Sequence, residues 1–374
     1  MYPPGRVIIA VDLGNTNSCV AGYGSGQTQT MFQLCIPSWV AFADDGAVLL
    51  GEDARNHTAV NPQAAVSGFK RLLGKRVKEN LPYKIDVEKD VWPHVQLTTT
   101  DGAVRLLGVE NLTAMVVAKL KETAESYFGH RVEAAIFTLP LEFSDYASRD
   151  AAFFAGRLVG FEAMSVLSEP TAAANAYGVD EHLCDEGNVV VLHGRGERPD
   201  ARGRRDFDRR ATDHLVGLVR NKNGTDIGND GAALDKLRTA CERAKKTLSH
   251  QDHALVTVKS LVNGVDLAEP LTRAEFEELN HDLFLRVVEL VDKAVSQAEA
   301  YYMDSKLVID EVVLTGGSMH EDLGNSSGTT LAGRRCSVCM RIKPDEVVTI
   351  GAVEYNKWIY SKRRSALLAR RELS

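Results

Sequence analysis

Residues 12–18 have the composition of a phosphate-binding turn. They read Asp12-Leu13-Gly14-Asn15-Thr16-Asn17-Ser18 and lie between two strand-like runs. In such a turn the backbone N–H groups can converge on phosphate oxygens, and hydroxyl groups can assist. The glycine permits close approach of a ligand, and the aspartate can hold a water molecule bound to Mg²⁺. An aspartate and a glycine between strands are also common in ordinary hairpins, so the turn alone does not identify a function.

Four polar side chains are spaced to share one face of a helix. They lie at positions i, i+3, i+4 and i+7 and are Glu242, Lys245, Lys246 and Ser249. A solvated helix face is the usual meaning of this spacing. A helix that lines a ligand pocket has the same spacing, so other residues must decide between the two interpretations.

The elements that position these residues follow from the hydrophobic pattern. Strands are predicted at 7–11, 17–23, 132–139, 188–192, 254–261 and 311–314, and helices at 111–128, 145–159, 170–177, 213–222, 234–249, 272–302 and 344–355. Glu169 therefore directly precedes a helix. Pro170 lies in the first turn of that helix, where its missing N–H costs least.

The length of the chain predicts two lobes. A chain of 374 residues, 44% of them hydrophobic, can bury a large core and exceeds the size at which one core usually divides. We place the first lobe at 1–187, with an inserted subdomain at about 39–110. We place the second at 188–358, with an inserted subdomain at about 220–300.

Two segments of the second lobe are predicted to be irregular. Residues 194–210 hold seven arginines and three glycines with hardly an apolar residue, so we expect an exposed loop there. Residues 319–341 are polar, rich in glycine and without periodicity. Residues 359–374 form a basic tail with no fold of its own.

Charge, apolar runs and cysteines exclude several classes of protein. The net charge of −7 argues against nucleic acid as the main partner, because binding phosphate groups needs a basic surface. No run of about 18 apolar residues is present, so no membrane span is expected. The first residues show no signal segment, which predicts a cytoplasmic chain. Six scattered cysteines predict reduced thiols.

Six further segments complete the pattern that begins with the phosphate turn. They are Ile36–Phe42, Ala59–Pro62, Lys70–Gly74, Ser168–Ala174, Arg238–Ser249 and Phe276–Asn280. In order and spacing they resemble the ATPase domain of the seventy-kilodalton heat-shock chaperones. The resemblance implies an actin-like ATPase fold, an α/β architecture with a duplicated ribonuclease H-like core, two lobes and a central nucleotide cleft. It also implies ATP or ADP and Mg²⁺ as cofactors.

By that resemblance, Asp12, Lys70 and Glu169 are the catalytic residues. Lys70 matches the lysine that reaches the γ-phosphate and the attacking water, a role suited to a compact cation on a flexible stem. Glu169 matches the carboxylate near the magnesium ion, and Asp12 and Glu169 would each hold that ion through water. The residues that would hold the phosphates are Gly14, Asn15, Thr16 and Asn17.

The resemblance also implies an adenosine pocket and protein partners. The pocket residues would be Glu242, Lys245, Lys246, Ser249, Gly316, Gly317, Ser318 and Asp345. Lys246 stands where the family prefers arginine, which weakens planar stacking on the base. The implied partners are J-domain proteins and nucleotide-exchange factors, in a stress-response chaperone. The linker, peptide-binding β-sandwich and lid of the family are not matched, so no peptide-binding domain is expected in this chain.

The family pattern breaks at three places. His193 stands where the family has an aspartate that opens a second phosphate turn, so the second lobe is predicted to be incomplete. Met319 stands where an arginine would stack on the adenine. Ser148 occupies the position of a relay arginine, with Arg149 one residue late, and one residue on a helix turns a side chain by about 100°. Pro140 keeps the position of the proline that couples nucleotide state to the neighbouring domain.

These losses leave several hypotheses open. The first is an ATP- or ADP-binding chaperone-family protein with weak or lost hydrolysis, since phosphoryl transfer depends on positioned charges. The second is a pseudo-ATPase that acts as a co-chaperone binding module. The third is the product of a decayed or mis-joined gene. A sugar kinase of the same superfold is disfavoured, because the matched segments are those of chaperones.

Overall fold

The chain divides into two compact units. The computed structural model describes residues 7–23, 31–74, 84–86, 93–99, 101–140, 146–178, 189–193, 204–224, 226–228, 230–248, 251–262, 265–302, 311–315, 330–331, 334–335, 337–339, 342 and 346–356. Met1–Leu183 and Glu346–Ser374 form the first unit, and Cys184–Asp345 forms the second. The second lobe expected at 188–358 differs from this division, because helical residues after Glu346 pack in the core of the first unit.

The described residues form both strands and helices in each unit. Strands run over β1 (Ile8–Asp12), β2 (Asn17–Tyr23), β3 (Met31–Pro37), β4 (Trp39–Phe42), β5 (Val48–Leu50), β6 (Ala65–Ser67), β7 (Lys84–Asp86), β8 (His94–Thr98), β9 (Val104–Gly108), β10 (Ala134–Leu139), β11 (Ala163–Ser168), β12 (Val189–His193), β13 (His253–Val262), β14 (Val265–Thr272), β15 (Glu311–Thr315), β16 (Thr330–Leu331), β17 (Arg334–Arg335) and β18 (Ser337–Cys339). Helices run over α1 (Glu52–His57), α2 (Val109–Phe128), α3 (Tyr146–Leu158), α4 (Glu169–Ala176), α5 (Arg204–Asn223), α6 (Gly231–Leu248), α7 (Arg273–Tyr302) and α8 (347–356). Short 3-10 helices cover Pro62–Ala64 and Phe69–Leu72. No helix in these ranges is both long and apolar enough to cross a bilayer.

A five-stranded sheet forms the centre of the first unit. Its order is β11-β10-β1-β2-β3, in which β1, β10 and β11 are parallel and β2 and β3 continue as an antiparallel ribbon. Alternate residues of β1 face opposite sides, as the period of a strand requires. Ile9 and Val11 belong to the core that α2 covers, whereas Ala10 belongs to the core that includes α4 and α8. The three parallel strands therefore end at one common edge of the sheet.

The helix α8 is packed closely against α4. A side chain at Gly351 would place its Cβ atom 1.7 Å from the carbonyl oxygen of Ala172, so this crossing needs a glycine. Tyr23 at the end of β2 donates a hydrogen bond to Glu354 of α8, and burial together with that bond raises the pKa of Tyr23. α8 is thereby held to the central sheet of the first unit.

Two small sheets extend the first unit between β3 and α2. Their strand orders are β5-β4-β6 and β7-β8-β9. Both lie within the span 39–110 that the sequence identified as an insertion. The 3-10 helix Phe69–Leu72 follows β6, and its Phe69 and Leu72 side chains are buried in the same core as α2. This packing fixes the backbone that carries Lys70.

Cys19 and Cys35 form a disulfide bond, so the expectation of reduced thiols is wrong at this pair. The physical reason is the β2–β3 register, which places Cys19 directly opposite Cys35 with their Cα atoms 4.1 Å apart. That distance is typical of a pair without mutual backbone hydrogen bonds, where side chains approach most closely. The bond ties β2 to β3 two residues beyond the start of β2.

The second unit has a parallel sheet and a separate helical core. The parallel sheet has the order β12-β15-β18, and β13 pairs with β14 in an antiparallel hairpin. The helices α5, α6 and α7 share a core with that hairpin. The start of α7 is capped reciprocally: the Thr272 N–H and hydroxyl donate to the Glu275 carboxylate, and the Glu275 N–H donates to the Thr272 hydroxyl.

Part of the segment expected as an exposed loop is helical. The prediction for residues 194–210 is wrong from Arg204 onward, where α5 begins. The reason is a buried stripe that the arginines mask, since Phe207, Ala211 and Leu215 recur every four residues and are buried. Within 319–341, also predicted to be irregular, β18 pairs in parallel with β15.

Candidate functional site

The ends of three parallel strands bring the candidate catalytic residues of the first unit to one edge. In the strand register Asp12 lies opposite Thr138, and the next residue of β10, Leu139, lies opposite Ser168. Adjacent strands lie about 4.8 Å apart, so the ends of β1 and β11 are about 10 Å apart. Glu169 follows Ser168 directly. Asp12 and Glu169 therefore lie at the same edge of the sheet.

Thr138 fixes the side chain of Asp12. Its hydroxyl group donates a hydrogen bond of 2.8 Å to the Oδ1 atom of Asp12. The Thr138 side chain is fully buried. Buried hydroxyl groups need a partner, and a carboxylate is a strong acceptor. Sequence analysis did not identify Thr138, because its role depends on the parallel pairing of β1 with β10.

The phosphate turn is held from behind by Ser38. The Ser38 N–H donates to the Thr16 carbonyl oxygen at 2.8 Å, and the Ser38 hydroxyl donates to the Gly14 carbonyl oxygen at 2.6 Å. The same hydroxyl lies 2.8 Å from the Ser18 hydroxyl. No role was predicted for Ser38, although it lies in one of the segments that carry the family resemblance.

Gly14 is required by the shape of the turn. A Cβ atom at this position would lie 2.0 Å from the carbonyl oxygen of Asn17, far inside contact distance. The turn therefore folds back so tightly that only glycine fits, as a backbone cradle for an anion demands. The predicted phosphate residues Asn15, Thr16 and Asn17 follow in the same turn and at the start of β2.

Lys70 and Glu169 form a buried ion pair. The Lys70 Nζ atom lies 3.3 Å from the Glu169 Oε1 atom, and the two residues are 3% and 1% exposed. Glu169 is in the first turn of α4, where the helix dipole favours a carboxylate, and the Ser168 hydroxyl caps that helix by accepting the Thr171 N–H. The sequence predicted both residues as catalytic, and the structure brings them together across 99 positions.

The loop after Lys70 packs against α3. This contact explains why the relay position, Ser148, does not carry an arginine. A Cβ atom at Gly74 would lie 2.5 Å from the Cα atom of Ser148, so the two backbones are in close contact. Ser148 is fully buried and its hydroxyl lies 3.4 Å from the Leu73 carbonyl oxygen. Arg149 is exposed. An arginine side chain would not fit at the position of Ser148, and Arg149 points elsewhere.

In the second unit the corresponding strand is β12, and it ends on a histidine instead of an aspartate. β12 runs parallel to β15, and its last residue, His193, lies opposite Thr315. Residues 194–203 separate β12 from α5, whereas residues 13–37 follow β1 with a turn and two strands of seven residues. A segment of that length has no room for an equivalent pair of strands.

The predicted adenosine helix is only partly open. Lys246 on α6 is exposed and its Nζ atom lies 3.4 Å from the Glu242 Oε1 atom, in keeping with a shared face. Lys245 instead is buried and donates to the Asp208 Oδ1 atom at 2.5 Å. We expected all four polar side chains on one exposed helix face, and Lys245 differs from this expectation. A buried ammonium group needs a carboxylate, and Asp208 of α5 supplies it.

The remaining predicted pocket residues lie outside the described residues. They are Ser249, Gly316, Gly317, Ser318 and Asp345.

Two further observations concern ligand-binding chemistry among the described residues. On α6, burial raises the pKa of the Cys241 thiol to about 11, so this thiol is protonated at neutral pH. Within the described ranges no three His, Cys, Asp or Glu side chains group closely enough to hold a metal ion directly. Contact of Asp12 and Glu169 with Mg²⁺ through water stays a prediction from the family resemblance.

Two comparisons relate the chain to known proteins. A model of the Hsp70 protein family matches residues 8–197 and 198–357. Heat shock 70 kDa protein BIP3 of Oryza sativa subsp. japonica is 40% identical over 378 residues, which cover 92% of this chain and 55% of the rice protein. The chain therefore spans about half the length of the curated relative that it matches.

The prediction of a cytoplasmic chain is contradicted by this relative. BiP is the Hsp70 protein of the endoplasmic reticulum, so the similarity points away from the cytoplasm. The first residues were a poor guide, because targeting signals rather than the folded domain set the compartment. The disulfide bond between Cys19 and Cys35 is of the kind that persists in oxidising compartments.

The family match covers both units, and the described elements agree with its fold. Hsp70 proteins have the actin-like ATPase fold, and this chain has the mixed strands and helices that the fold requires. The predicted heat-shock chaperone family is thereby confirmed. The chain belongs to the Hsp70 protein family.

Proposed function

We propose that the chain binds ATP or ADP with Mg²⁺ through the phosphate turn and hydrolyses ATP weakly or not at all. Hsp70 proteins in general bind these nucleotides with Mg²⁺. The observation that carries the proposal is the buried pair of Lys70 and Glu169 at the sheet edge that also bears Asp12. A buried pair of this kind gives no assured stability, so a functional role is the better reason for it.

Each residue of the first unit would have a separate task. The backbone N–H groups of the turn from Gly14 to Asn17 would bind phosphate oxygens. Asp12 and Glu169 would hold Mg²⁺ through water, and their oxygen atoms are the ligand type that this ion prefers. Lys70 would reach the γ-phosphate and the attacking water. When bound, Mg²⁺ would neutralise charge on the phosphates.

Fit of the nucleotide to the turn is supported by Gly14. Gly14 lets the turn fold back against the Asn17 carbonyl oxygen, and in a turn this tight successive backbone N–H groups can converge on a phosphate. In the second unit, Glu242 and Lys246 would contact the adenosine from α6. We assign Lys245, Ser249, Gly316, Gly317, Ser318 and Asp345 to the same pocket by resemblance.

Weak hydrolysis follows from the end of β12. His193 stands where the family has an aspartate, and the segment 194–203 between β12 and α5 is shorter than the two strands that follow β1. Phosphoryl transfer depends on groups that position cations and water. Loss of one such electrostatic group typically costs about a hundredfold to a thousandfold in rate.

A second candidate is a non-catalytic pseudo-ATPase that acts as a co-chaperone binding module. Buried Ser148 and exposed Arg149 favour this reading of the relay position, because the relay arginine is absent from the close contact with Gly74. Hsp70 proteins in general bind co-chaperones, so J-domain proteins and nucleotide-exchange factors are the partners to test. Peptide binding by a longer form of the protein is a separate proposal, since the chain spans about half of its relative.

The test combines calorimetric titration of Mg-ATP with measurement of phosphate release on the same sample. We expect saturable binding and release far slower than in a chaperone with both phosphate turns. Undetectable binding at millimolar nucleotide would remove both candidates. Hydrolysis that survives Lys70→Ala would contradict the role of Lys70, and a gain of hydrolysis in His193→Asp with a rebuilt glycine turn would locate the defect at β12.

A further inference from the structure

Ser38 contacts two carbonyl groups of the phosphate turn at once. We infer that Ser38 is a positioning residue for nucleotide phosphate, acting through the backbone of the turn and not by touching the ligand. The inference rests on the proposed function, because it concerns the same turn. It assigns to Ser38 the orientation of the N–H groups of Asn15 and Asn17.

Ser38 holds the turn with two hydrogen bonds, one from its backbone and one from its side chain. The N–H of Ser38 holds the Thr16 carbonyl oxygen at 2.8 Å and its hydroxyl holds the Gly14 carbonyl oxygen at 2.6 Å. The Ser18 hydroxyl lies 2.8 Å from the Ser38 hydroxyl. Ser38 and Ser18 are 3% and 2% exposed, so water does not compete for these bonds.

Holding the two carbonyl groups orients the next two N–H groups. In a trans peptide the C=O of one residue and the N–H of the following residue point in opposite directions. The Gly14 carbonyl shares its peptide plane with the Asn15 N–H, and the Thr16 carbonyl shares its plane with the Asn17 N–H. Both carbonyl groups point to Ser38, so both N–H groups point away from it.

The pairing of β2 with β3 does not use the Asn17 N–H as a donor to β3. Cys19 and Cys35 face each other at the short Cα distance of a non-hydrogen-bonded pair, and such pairs alternate with hydrogen-bonded ones. Asn17, two residues before Cys19, is therefore also in a non-hydrogen-bonded pair, opposite Pro37. Its N–H points away from β3.

Serine is the residue that suits this position. It combines a short hydroxyl donor with a backbone N–H, and both reach acceptors two residues apart in the turn. Alanine would keep the N–H contact with Thr16 and lose the contact with Gly14. The Gly14 carbonyl would then lose its partner, and the peptide plane that carries the Asn15 N–H would be free to rotate.

The test compares Ser38→Ala and Ser38→Thr with a matched control. Thr113→Val in α2 also removes a buried hydroxyl that donates to a carbonyl, the Val109 oxygen at 2.8 Å, within the same unit. Calorimetry would give the Kd of Mg-ADP and of adenosine, which lacks phosphate. We expect Ser38→Ala to weaken Mg-ADP about tenfold, the usual cost of leaving one such carbonyl unpaired. Adenosine binding should be unchanged, Thr113→Val should affect neither ligand, and Ser38→Thr should restore Mg-ADP.

Two results would overturn the inference. One is a Ser38→Ala variant that binds Mg-ADP as the unchanged chain does, and the other is an equal loss for Mg-ADP and adenosine. If the unchanged chain binds no nucleotide, the proposed function fails by itself, and amide hydrogen exchange still decides the role of Ser38. Exchange at Asn15 and Asn17 should then rise in Ser38→Ala and stay constant in Thr113→Val, and unchanged exchange in Ser38→Ala would contradict the inference.

Discussion

Asp12 and His193 lie at the carboxyl ends of β1 and β12, two strands that each pair in parallel with one neighbour. β1 is the central strand of its five-stranded sheet and pairs in parallel with β10, whereas β12 is the first strand in the order β12-β15-β18 and pairs in parallel with β15. β1 ends on Asp12, whose carboxylate accepts a hydrogen bond from Thr138, and a turn that only glycine permits follows. β12 ends on His193, and α5 begins after residues 194–203. The two strands therefore end on different residues, and the segments that separate them from the next described element differ in length.

The comparison teaches that a different residue at the end of a strand is compatible with a buried core in the same unit. The core of the second unit is closed by α5, α6, α7 and the β13–β14 hairpin. Asp208 of α5 holds the buried Lys245 of α6. The arginine-rich segment has thus become part of the core at its C-terminal end. The difference between the two units is concentrated at the end of β12.

The largest expected effect concerns the charged pair beside β1. Lys70→Ala would leave Glu169 as a buried charge without its partner, and this should lower the free energy of unfolding by about 3–5 kcal/mol. Chemical denaturation measures the change. If the β1 edge depends on the pair, the variant should also release no phosphate.

Lys119→Ala is the matched control for this prediction. Its Nζ atom lies 3.2 Å from the Glu122 Oε2 atom, but both side chains are about half exposed or more. Exposed pairs contribute about 0–1 kcal/mol. If Lys70→Ala and Lys119→Ala lower the free energy of unfolding equally, the buried pair contributes no more than an exposed pair. That result would contradict the prediction.

The next effect concerns the ribbon that supports the phosphate turn. The disulfide bond closes a loop with a sequence separation of 16, and the chain-entropy model gives about 3 kcal/mol for a loop of about 15 residues. The double variant Cys19→Ser and Cys35→Ser should lose this amount in denaturation. A reductant should destabilise the unchanged chain and leave the double variant as it is. Alkylation of both thiols without prior reduction would contradict the pairing.

The smallest effect tests whether the second unit is intact away from β12. Arg210 of α5 binds the Asp282 carboxylate of α7, and this hydrogen bonding lowers the pKa of Asp282 to about 2. A lowered pKa in the folded state means stability that is present above about pH 4 and is lost as the pH falls toward 2. Asp282→Asn should remove this dependence, measured by amide hydrogen exchange in α5. Asp292→Asn, an exposed site on the same helix, should keep it, and a flat profile in the unchanged chain would contradict the pair.

The sequence predicted much of the first unit because its signals are local. The strands around residues 12–18 and the helices at 111–128 and 145–159 are confirmed within two residues. Hydrophobic spacing and turn residues fix such elements without reference to the rest of the chain. The roles of Lys70 and Glu169 came from the family resemblance, and the structure adds that the two side chains form a pair.

The failures share a physical cause, which is dependence on long-range pairing. The disulfide bond required the register between β2 and β3, and the contact of Thr138 with Asp12 required the parallel pairing of β1 and β10. The first half of α5 was missed because arginines dilute its buried stripe, which is completed only by the partner surface of α6 and α7, whereas the helix predicted at 213–222 is its second half. The absence of a signal segment in the first residues did not give the compartment.

The most direct test measures the Kd of Mg-ADP in Gly14→Ala and His193→Ala. Gly14→Ala forces a Cβ atom toward the Asn17 carbonyl oxygen, so we expect binding to weaken by about tenfold or more. Gly217→Ala in α5, where no atom lies within 4 Å of the added Cβ, controls for the substitution itself and should leave binding unchanged. His193→Ala should also bind as the unchanged chain does, because in the proposed function the phosphate groups are held by the turn of the first unit. Loss of binding in His193→Ala with retention in Gly14→Ala would contradict the account.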